Sequence, residues 1–318
     1  MKKGIILIPE EYNSSYIVAG RFYPLFNKIV NSLKWDLKVC DDIDSDIDIL
    51  NYDVVMNFKS PEKNKPDVMK SLSTLPSSIK LISYFTDVHG NSDWNTGTND
   101  QIYIDAMNSI LSRSDKILCP YREFFMKKWN IYKDKFVLFP HFINSDFYEN
   151  LEYISKPINK CIVSGAIHPV VYPTRTQITK SKSSFIDVLP SPGYKPIISS
   201  NCFIGDEYSK KLNQYLCGLS TCSIWNYVVN KYIEIPASWS LLIGKHCKDL
   251  DLYGFINKNN YLSFNTTEEF FDLVSDVVSN PLNYSNIRYN GRKFVLNNFT
   301  HHSSYDRFMN VLTNLWEE

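Results

Sequence analysis

The sequence lacks a net charge, because its 34 lysine and arginine residues balance its 34 aspartate and glutamate residues. A neutral chain has no overall field that would attract a polyanion such as DNA or hold the protein to an acidic membrane. We therefore expect no nucleic acid partner.

Paired cysteines and long apolar runs are also missing. The seven cysteines are scattered, odd in number and without a CxxC motif, which argues against a disulfide framework or a zinc site and favours free thiols in a reducing compartment. The apolar run Gly4–Ile8 is too short for a signal peptide, and no run approaches the ~18 apolar residues of a membrane span. We expect a soluble, cytoplasmic protein without a transmembrane segment.

Two common nucleotide fingerprints are absent, because the sequence contains neither GxGxxG nor GxxxxGK[ST]. Kinase, P-loop and ordinary dinucleotide-binding functions are therefore disfavoured.

The pattern that is present is an alternation of short apolar, β-branched runs with longer helix-compatible segments, which is typical of parallel-sheet α/β domains. A chain of 318 residues fits two such domains. The first half predicts helices at Arg21–Leu33 and Gln101–Arg113. It predicts buried strands at Gly4–Ile8, Asp53–Phe58, Lys80–Phe85, Lys116–Cys119 and Phe136–Phe139.

Residues 140–157 have no periodicity and end in Lys-Pro, which indicates an interdomain linker. Thr266 and Glu269 resemble a capping box that opens a helix through Val278. A last helical region, from about Asn283 to Trp316, has no strand after it and is free to return to the first domain. The second half predicts strands at Lys160–Ser164, Phe185–Leu189, Cys202–Ile204, Thr221–Ile224 and Ser240–Gly244.

Two features of the first half are candidate sites. The acidic run at residues 41–48 contains Asp41, Asp42, Asp44, Asp46 and Asp48; it suggests a metal site, but a solvated loop is favoured because the glycine and terminal glutamate of an EF-hand are missing. His89 follows a predicted strand, where ligands of α/β sheets collect, so it is placed to donate a hydrogen bond or act on a proton. The alternative for His89 is a loop histidine satisfied by its neighbours.

The second half begins with a possible anion site. Gly165 follows the predicted strand that ends at Ser164, and Pro173 suits the first turn of a helix. Arg175 would then lie near the positive end of that helix, where amides and a guanidinium can bind a diphosphate, with Lys180 sharing the task. The alternative is a surface arginine.

Glu234 stands in the otherwise apolar segment KYIEIPASWS, residues 231–240. It is a paired buried ion, an exposed residue on a helix flank or a ligand-binding carboxylate. Burial without a partner is excluded by the cost of desolvation. One ligand that fits is a ribose, whose two vicinal hydroxyls donate to an acidic residue in dinucleotide folds.

The segment KYIEIPAS, residues 231–238, with Leu241 and Leu242, resembles the motif K-[FY]-x-E-[IA]-x-A-[SC]-G-x-L-L of group 1 glycosyltransferases with the GT-B fold. The branch that it resembles most is that of the spore-maturation glycosyltransferases. Further matching segments occur in the family's order across residues 160–312: Ser164–Ala166, Tyr172–Arg175, Pro192–Tyr194, Gly205–Tyr208, Gly254–Phe255, Asn260–Tyr261, Asn290–Arg292 and Phe299–His302.

The resemblance implies two Rossmann-like domains facing across a cleft, with residues 1–155 on the acceptor side, residues 156–295 binding a nucleotide sugar, and residues 296–318 returning to the first domain. Glu234 matches the carboxylate that holds the donor ribose. Asn226 stands eight positions earlier, where the family has a glutamate that contacts the donor sugar. Residues after it, Tyr227 and Val228, would present backbone amides to the phosphates.

The other matches are looser. Arg175 and Lys180 match basic residues near the diphosphate, beside Gly165, and His89 matches a first-domain histidine near the donor sugar. Trp239 replaces a family glycine, so either the backbone there does not need a left-handed conformation or the indole closes part of the donor pocket.

The implied activity is transfer of a sugar from a nucleoside diphosphate to a glycan, lipid or protein hydroxyl, with retention of configuration and with neither a metal nor another cofactor. His89 would stabilise positive character on the sugar. Three alternatives remain: a catalytically silent GT-B homologue, a two-lobed binding protein for a sugar nucleotide or another small ligand, and a sugar-nucleotide epimerase.

Overall fold

The computed structural model describes residues 2–9, 16–40, 47–58, 71–89, 101–192 and 201–317. These residues belong to two compact units. One is drawn from Met1–Ser14, Phe22–Phe139 and Tyr305–Glu318, and the other from Ser15–Arg21 and Pro140–Ser304. In this described part of the chain, no helix is both long and apolar enough to cross a membrane.

The first unit is built on a six-stranded parallel sheet in the order β2-β1-β3-β4-β5-β6. Every residue of β1, β3 and β5 is buried, as expected for a parallel sheet that is covered on both faces. The strands are β1 Gly4–Ile8, β2 Asp36–Val39, β3 Val54–Asn57, β4 Lys80–Tyr84, β5 Lys116–Cys119 and β6 Phe136–Leu138. The helices are α1 Tyr16–Leu33, which belongs to this unit from Phe22 onward, α2 Gln101–Arg113 and α3 Arg122–Lys128.

Aromatic rings form much of the first unit's core. The ring of Phe58 lies with its centroid 4.4 Å from that of Phe26 and 4.8 Å from that of Tyr84, and Phe139 packs edge-on against Tyr84 at 5.5 Å. These rings come from α1 and from residues at or just after the carboxyl ends of β3, β4 and β6, so they hold that helix against the sheet.

The second unit is built on a five-stranded parallel sheet in the order β11-β10-β9-β7-β8. Its core surrounds β7, β9 and β10 and includes Val163, Leu219 and Ile243. The strands are β7 Ile158–Val163, β8 Ile186–Val188, β9 Tyr215–Ser220, β10 Leu241–Lys245 and β11 Leu262–Phe264. The helices are α4 Pro173–Lys180, α5 Gly205–Asn213, α6 Lys231–Ala237, α7 Lys248–Tyr253, α8 Thr267–Ser279 and α9 Ser285–Asn298. A last helix, α10 His301–Asn314, begins in the second unit and belongs to the first unit from Tyr305 onward.

Three helix ends follow the sequence signals. Pro173 is the first residue of α4, where its missing N–H costs nothing. The side chain of Thr266 accepts a hydrogen bond from the Glu269 amide at 3.2 Å and so caps α8. Gly254 ends α7 in the left-handed conformation, with φ +87°.

Two of the predicted strands are wrong. Residues Cys202–Ile204 form no strand and lead into α5. Residues Thr221–Ile224 form the loop after β9, and the strand itself is Tyr215–Ser220. Strand β9, YLCGLS, contains a glycine, which weakens the sequence signal for a strand. At Gly218 a Cβ would lie 3.0 Å from Ile235 Cγ2, so the backbone approaches that side chain closely.

Candidate functional site

Arg175 lies where the order of the second sheet reverses. Strand β7 pairs with β8 on one side and with β9 on the other, and such a reversal leaves a crevice at the carboxyl ends of the strands where α/β proteins bind ligands. Arg175 Nη1 donates to the carbonyl of Ala166, after β7, at 3.0 Å, and Nη2 donates to that of Thr221, after β9, at 3.3 Å. The guanidinium therefore bridges the two loops that border the crevice.

Among the residues that the structure describes, Arg175 has no carboxylate as a counter-ion. The residue is only 2% exposed, its guanidinium lies 4.2 Å from the ring centroid of Tyr172, and burial lowers its pKa. Among the described residues, no carboxylate pairs with it and its Nε has no hydrogen-bond partner. The surface-arginine alternative is therefore wrong. A buried cation without a counter-ion is costly, so this site suits an anionic ligand.

Lys231 and Glu234 form an ion pair on α6. They are three residues apart, on one face of the helix, and Lys231 Nζ lies 2.6 Å from Glu234 Oε2. The side chains are only 20% and 14% exposed, respectively. Burial alone would lower the pKa of Lys231, but the Glu234 carboxylate and Tyr208 together outweigh burial, and the pKa lies above its ordinary value.

Gly165 brings the two cations together. It follows β7 with φ +92°, a conformation that favours glycine. A Cβ at this position would lie 3.0 Å from Arg175 Nη1 and 3.4 Å from Lys231 Cε. We call Gly165, Arg175, Tyr208, Lys231 and Glu234 the switch-point cluster.

Tyr208 is the aromatic member of the switch-point cluster. Lys231 Nζ lies 4.6 Å from its ring centroid, and its hydroxyl shares a hydrogen bond of 2.7 Å with that of Ser164. Burial raises the pKa of Tyr208, although Lys231 acts in the opposite direction. The phenol therefore stays protonated, and its ring faces the Lys231 ammonium.

The structure excludes one of the three interpretations of Glu234. The residue is not on an exposed helix flank; it is largely buried and paired with Lys231. Burial raises the pKa of the Tyr148 phenol, and the nearby Glu234 charge raises it further. A ligand contact by Glu234 stays a prediction, since a paired carboxylate still has a second oxygen with which to accept hydrogen bonds.

Two other lysines differ in their relation to this crevice. Lys245, at the end of β10, donates from Nζ to Thr174 Oγ1 at 2.9 Å. A hydrogen bond with Cys247, together with the charges of Lys245 and Arg175, lowers the pKa of the Cys222 thiol. Lys180 is exposed at the last position of α4. Five residues of helix turn its side chain about 140° from that of Arg175, so α4 does not present the two on one face.

The loop before α6 contains the predicted residues Asn226, Tyr227 and Val228. Asn226 is exposed and adopts the left-handed conformation, with φ +59°, which asparagine tolerates better than most residues. Its Oδ1 lies 4.0 Å from Cys222 Sγ, close to the carboxyl end of β9. Tyr227 and Val228 are buried. Contacts of these three residues with a donor stay predictions.

Trp239 does adopt the left-handed conformation, with φ +61°, so the first of the two alternatives, that the backbone there does not need this conformation, is wrong. The indole Nε1 donates to the carbonyl of Leu151 at 2.7 Å. Its ring packs on Tyr153 at 5.2 Å and under the guanidinium of Arg292 at 4.6 Å. These contacts hold residues 140–157, and the predicted role of Trp239 in donor binding gains no support from them.

His89 belongs to the first unit, five residues after the end of β4. It is partly buried, and its Nδ1 lies 3.8 Å from Asp87 Oδ1. Within the described residues, no group of three or more His, Cys, Asp or Glu side chains is arranged to hold a metal ion. Asp41, Asp42, Asp44 and Asp46 of the acidic run lie outside those residues.

The sequence analysis missed Lys231 and Lys245 as site residues. The sequence does contain a pattern that points to Lys231, because a lysine three residues before a glutamate on a helix predicts an ion pair. No sequence pattern points to Lys245, since its role depends on where β10 ends.

No protein-family model matches the sequence, and no curated protein matches it either. Solved structures do match the fold. Sucrose-phosphate synthase from Thermosynechococcus elongatus matches with a TM-score of 0.68 and 10% identity, over 100% of both chains. An alpha-glucosyltransferase in complex with UDP-glucose and DNA containing an abasic site matches with a TM-score of 0.67 and 10% identity, over 98% of this chain and 99% of that one.

The Anabaena protein HepE, in complex with UDP and glucose, matches with a TM-score of 0.60 and 8% identity, over 99% of this chain and 100% of that one. These neighbours have the GT-B fold. The predicted fold class, two Rossmann-like α/β domains as in GT-B proteins, is therefore confirmed. At such low identity, the likeness concerns the fold alone.

Proposed function

We propose that this chain is a glycosyltransferase that moves a sugar from a nucleoside diphosphate to an acceptor hydroxyl on a glycan, lipid or protein. The second unit would hold the donor. The observation that carries the proposal is Arg175, a buried guanidinium that borders the crevice of a parallel sheet and has no carboxylate partner among the described residues. A diphosphate supplies the missing negative charge.

The basic residues of the site match the chemistry of a diphosphate leaving group. Arg175 and Lys231 approach the same point beside Gly165, and Lys245 lies at the end of β10, the strand that pairs with β9. Fixed cations stabilise the charge that develops on a leaving diphosphate without reorganising at the moment of reaction. We propose on this ground that transfer needs no metal ion, and, by the sequence resemblance, that it retains configuration.

Other residues would orient the donor. Glu234 accepts from the ribose hydroxyls, Asn226 contacts the sugar through its amide, and the backbone amides of Tyr227 and Val228 face the phosphates. His89, from the first unit, stabilises positive charge on the sugar. The neighbours in complex with UDP-glucose, or with UDP and glucose, support a nucleotide-sugar donor.

A panel of UDP-, GDP- and dTDP-sugars tests the proposal. We expect at least one donor to raise the melting temperature, and free nucleoside diphosphate to appear once acceptors are supplied. Arg175→Met should weaken binding of that donor by about 30-fold or more, because hydrogen bonds to a charged group contribute about 2 kcal/mol. The control is Arg122→Met, which removes an exposed arginine of the first unit.

A catalytically silent homologue is the second candidate, because Asn226 puts an uncharged amide where the resemblance expects a glutamate. Donor binding without release of nucleoside diphosphate, whatever acceptor is supplied, would favour it. Absence of any thermal shift across the panel would overturn the donor site itself.

A further inference from the structure

The Lys231–Glu234 ion pair joins two side chains that would bind different parts of a nucleotide. Lys231 Nζ is 2.6 Å from Glu234 Oε2, and both side chains are largely buried. Building on the proposed function, we infer that nucleotide binding exchanges this ion pair: Lys231 moves to the diphosphate while Glu234 accepts from both ribose hydroxyls. The site would thereby select ribonucleoside diphosphates over their 2′-deoxy counterparts.

The geometry allows the exchange. The Cε of Lys231 lies 3.4 Å from the point that a Cβ on Gly165 would occupy, and Arg175 Nη1 lies 3.0 Å from that point. The ammonium ends a flexible four-carbon stem. A rotation about the last bonds of the stem can therefore turn Nζ from Glu234 toward a phosphate beside Arg175, without movement of α6.

The burial of the pair makes the exchange cooperative. A ligand with phosphates but no ribose draws Lys231 away and leaves Glu234 without its cation, which is costly in a buried site. A ligand with a ribose but no phosphates competes with Lys231 for Glu234 and leaves the ammonium without a new partner. Only a ligand that carries both parts compensates both charges, and a 2′-deoxyribose offers Glu234 one hydroxyl instead of two.

Two variants separate the exchange from a fixed structural ion pair. Lys231→Met keeps an apolar side chain of similar length on Tyr208 and frees Glu234, whereas Glu234→Gln keeps the side-chain shape and frees Lys231. The matched control is Lys210→Met, which breaks the exposed Lys210–Asp206 pair on α5 of the same unit. Isothermal titration calorimetry would use UDP, GDP, ADP and CDP, the 2′-deoxy form and the nucleoside of the tightest binder, and inorganic pyrophosphate.

The exchange predicts effects of opposite sign. Lys231→Met should weaken binding of the nucleoside diphosphate about tenfold or more, the loss of one charged hydrogen bond, yet tighten binding of the nucleoside. Glu234→Gln should weaken the nucleoside, tighten pyrophosphate and reduce the preference for ribose over 2′-deoxyribose. Lys210→Met should change none of these affinities.

A fixed pair would give a different pattern. If both variants weaken the nucleoside and pyrophosphate alike while the wild type still binds a nucleoside diphosphate, the exchange is wrong and the proposed function stands. If the wild type binds no nucleoside diphosphate, both fail. If circular dichroism shows that a variant does not fold, the test uses the wild type's affinities for the nucleoside diphosphate and its 2′-deoxy form. A preference for ribose under about threefold is well below the effect of one hydrogen bond to a charged group and overturns the inference.

Discussion

Gly165 shows how a residue without a side chain can define the switch-point cluster. Its φ of +92° is accessible to glycine at little cost. The space beside it is shared by Arg175 Nη1 and Lys231 Cε. Conformation and space therefore both favour glycine at the position where the two cations meet.

Gly165→Ala should therefore affect both stability and binding. The positive φ should cost about 1–2 kcal/mol of unfolding free energy, and the methyl group should displace Arg175 and weaken nucleoside diphosphate binding. Urea denaturation and calorimetric titration measure the two effects.

Gly254→Ala is the matched control for this change. Gly254 has φ +87° and belongs to the same unit, but its missing side chain faces Phe294 at 3.2 Å. We expect a comparable loss of stability with nucleotide affinity unchanged. Equal loss of affinity in both variants would contradict the role of Gly165 in the site.

The sequence predicted individual site residues unevenly. Arg175 was found because a proline-led helix after a strand is a local signal, and Glu234 because a carboxylate in an apolar run needs a partner. The hydrogen-bond partner of Glu234 is Lys231, only three positions away. Helical spacing predicts this pair, whereas the resemblance to the motif points to a ligand instead. The conformation of Trp239 could not be predicted, because its contacts come from residues about 50 and 90 positions distant.

At the scale of elements, residues 140–157 are held by side chains of their own unit. Arg292 Nη2 donates to the carbonyls of Tyr148 at 2.8 Å and Glu149 at 3.1 Å, and Arg288 Nη1 donates to that of Ile154 at 3.3 Å. The same arginines, both on α9, also donate to carbonyls at the end of α6: Arg292 to Ala237 and Arg288 to Trp239.

Helix α9 therefore links this irregular segment to the helix that contains Lys231 and Glu234. The sequence correctly indicated that residues 140–157 lack periodic structure. It could not indicate this attachment, because hydrogen bonds from arginine to backbone carbonyls leave no pattern in the sequence of the acceptors.

Replacement of Trp239 measures this attachment. Trp239→Phe keeps a ring between Tyr153 and Arg292 but loses the hydrogen bond to Leu151, so we expect a loss of about 1 kcal/mol. Trp239→Gly removes the ring, a loss of about 3–5 kcal/mol, but relieves the positive φ by about 1–2 kcal/mol.

Urea denaturation, followed at the unfolding of the second unit, should show the wild type as most stable, Trp239→Phe as intermediate and Trp239→Gly as least stable. If Trp239→Gly is as stable as the wild type, the indole does not hold the segment. If Phe and Gly are equally destabilised, the hydrogen bond to Leu151 carries the attachment and the ring contacts do not.

On the scale of the whole molecule, the two sheets differ in their relation to the proposed ligand. Arg175, Lys231 and Glu234 all belong to the second unit, whereas His89 belongs to the first. The overall architecture was the most predictable feature, because alternation of apolar strands and helices extends over the whole chain and survives errors in single strands such as β9. The pairing order of the strands was not predicted, since parallel neighbours can be far apart in sequence.

The location of the cations predicts which unit a nucleoside diphosphate stabilises. Each unit has its own sheet and core, so we expect calorimetric unfolding to resolve two transitions. A ligand at 100 times its dissociation constant adds about 2.7 kcal/mol to the state that binds it, which raises the melting temperature of a unit of this size by roughly 5–10 °C. Gly254→Ala lowers the transition of the second unit and so identifies it. The nucleoside diphosphate should raise the melting temperature of that same transition more than that of the other. A larger shift of the first unit's transition would mean that the ligand binds mainly to the first unit, which would contradict the assignment of Arg175 as the residue that receives the diphosphate.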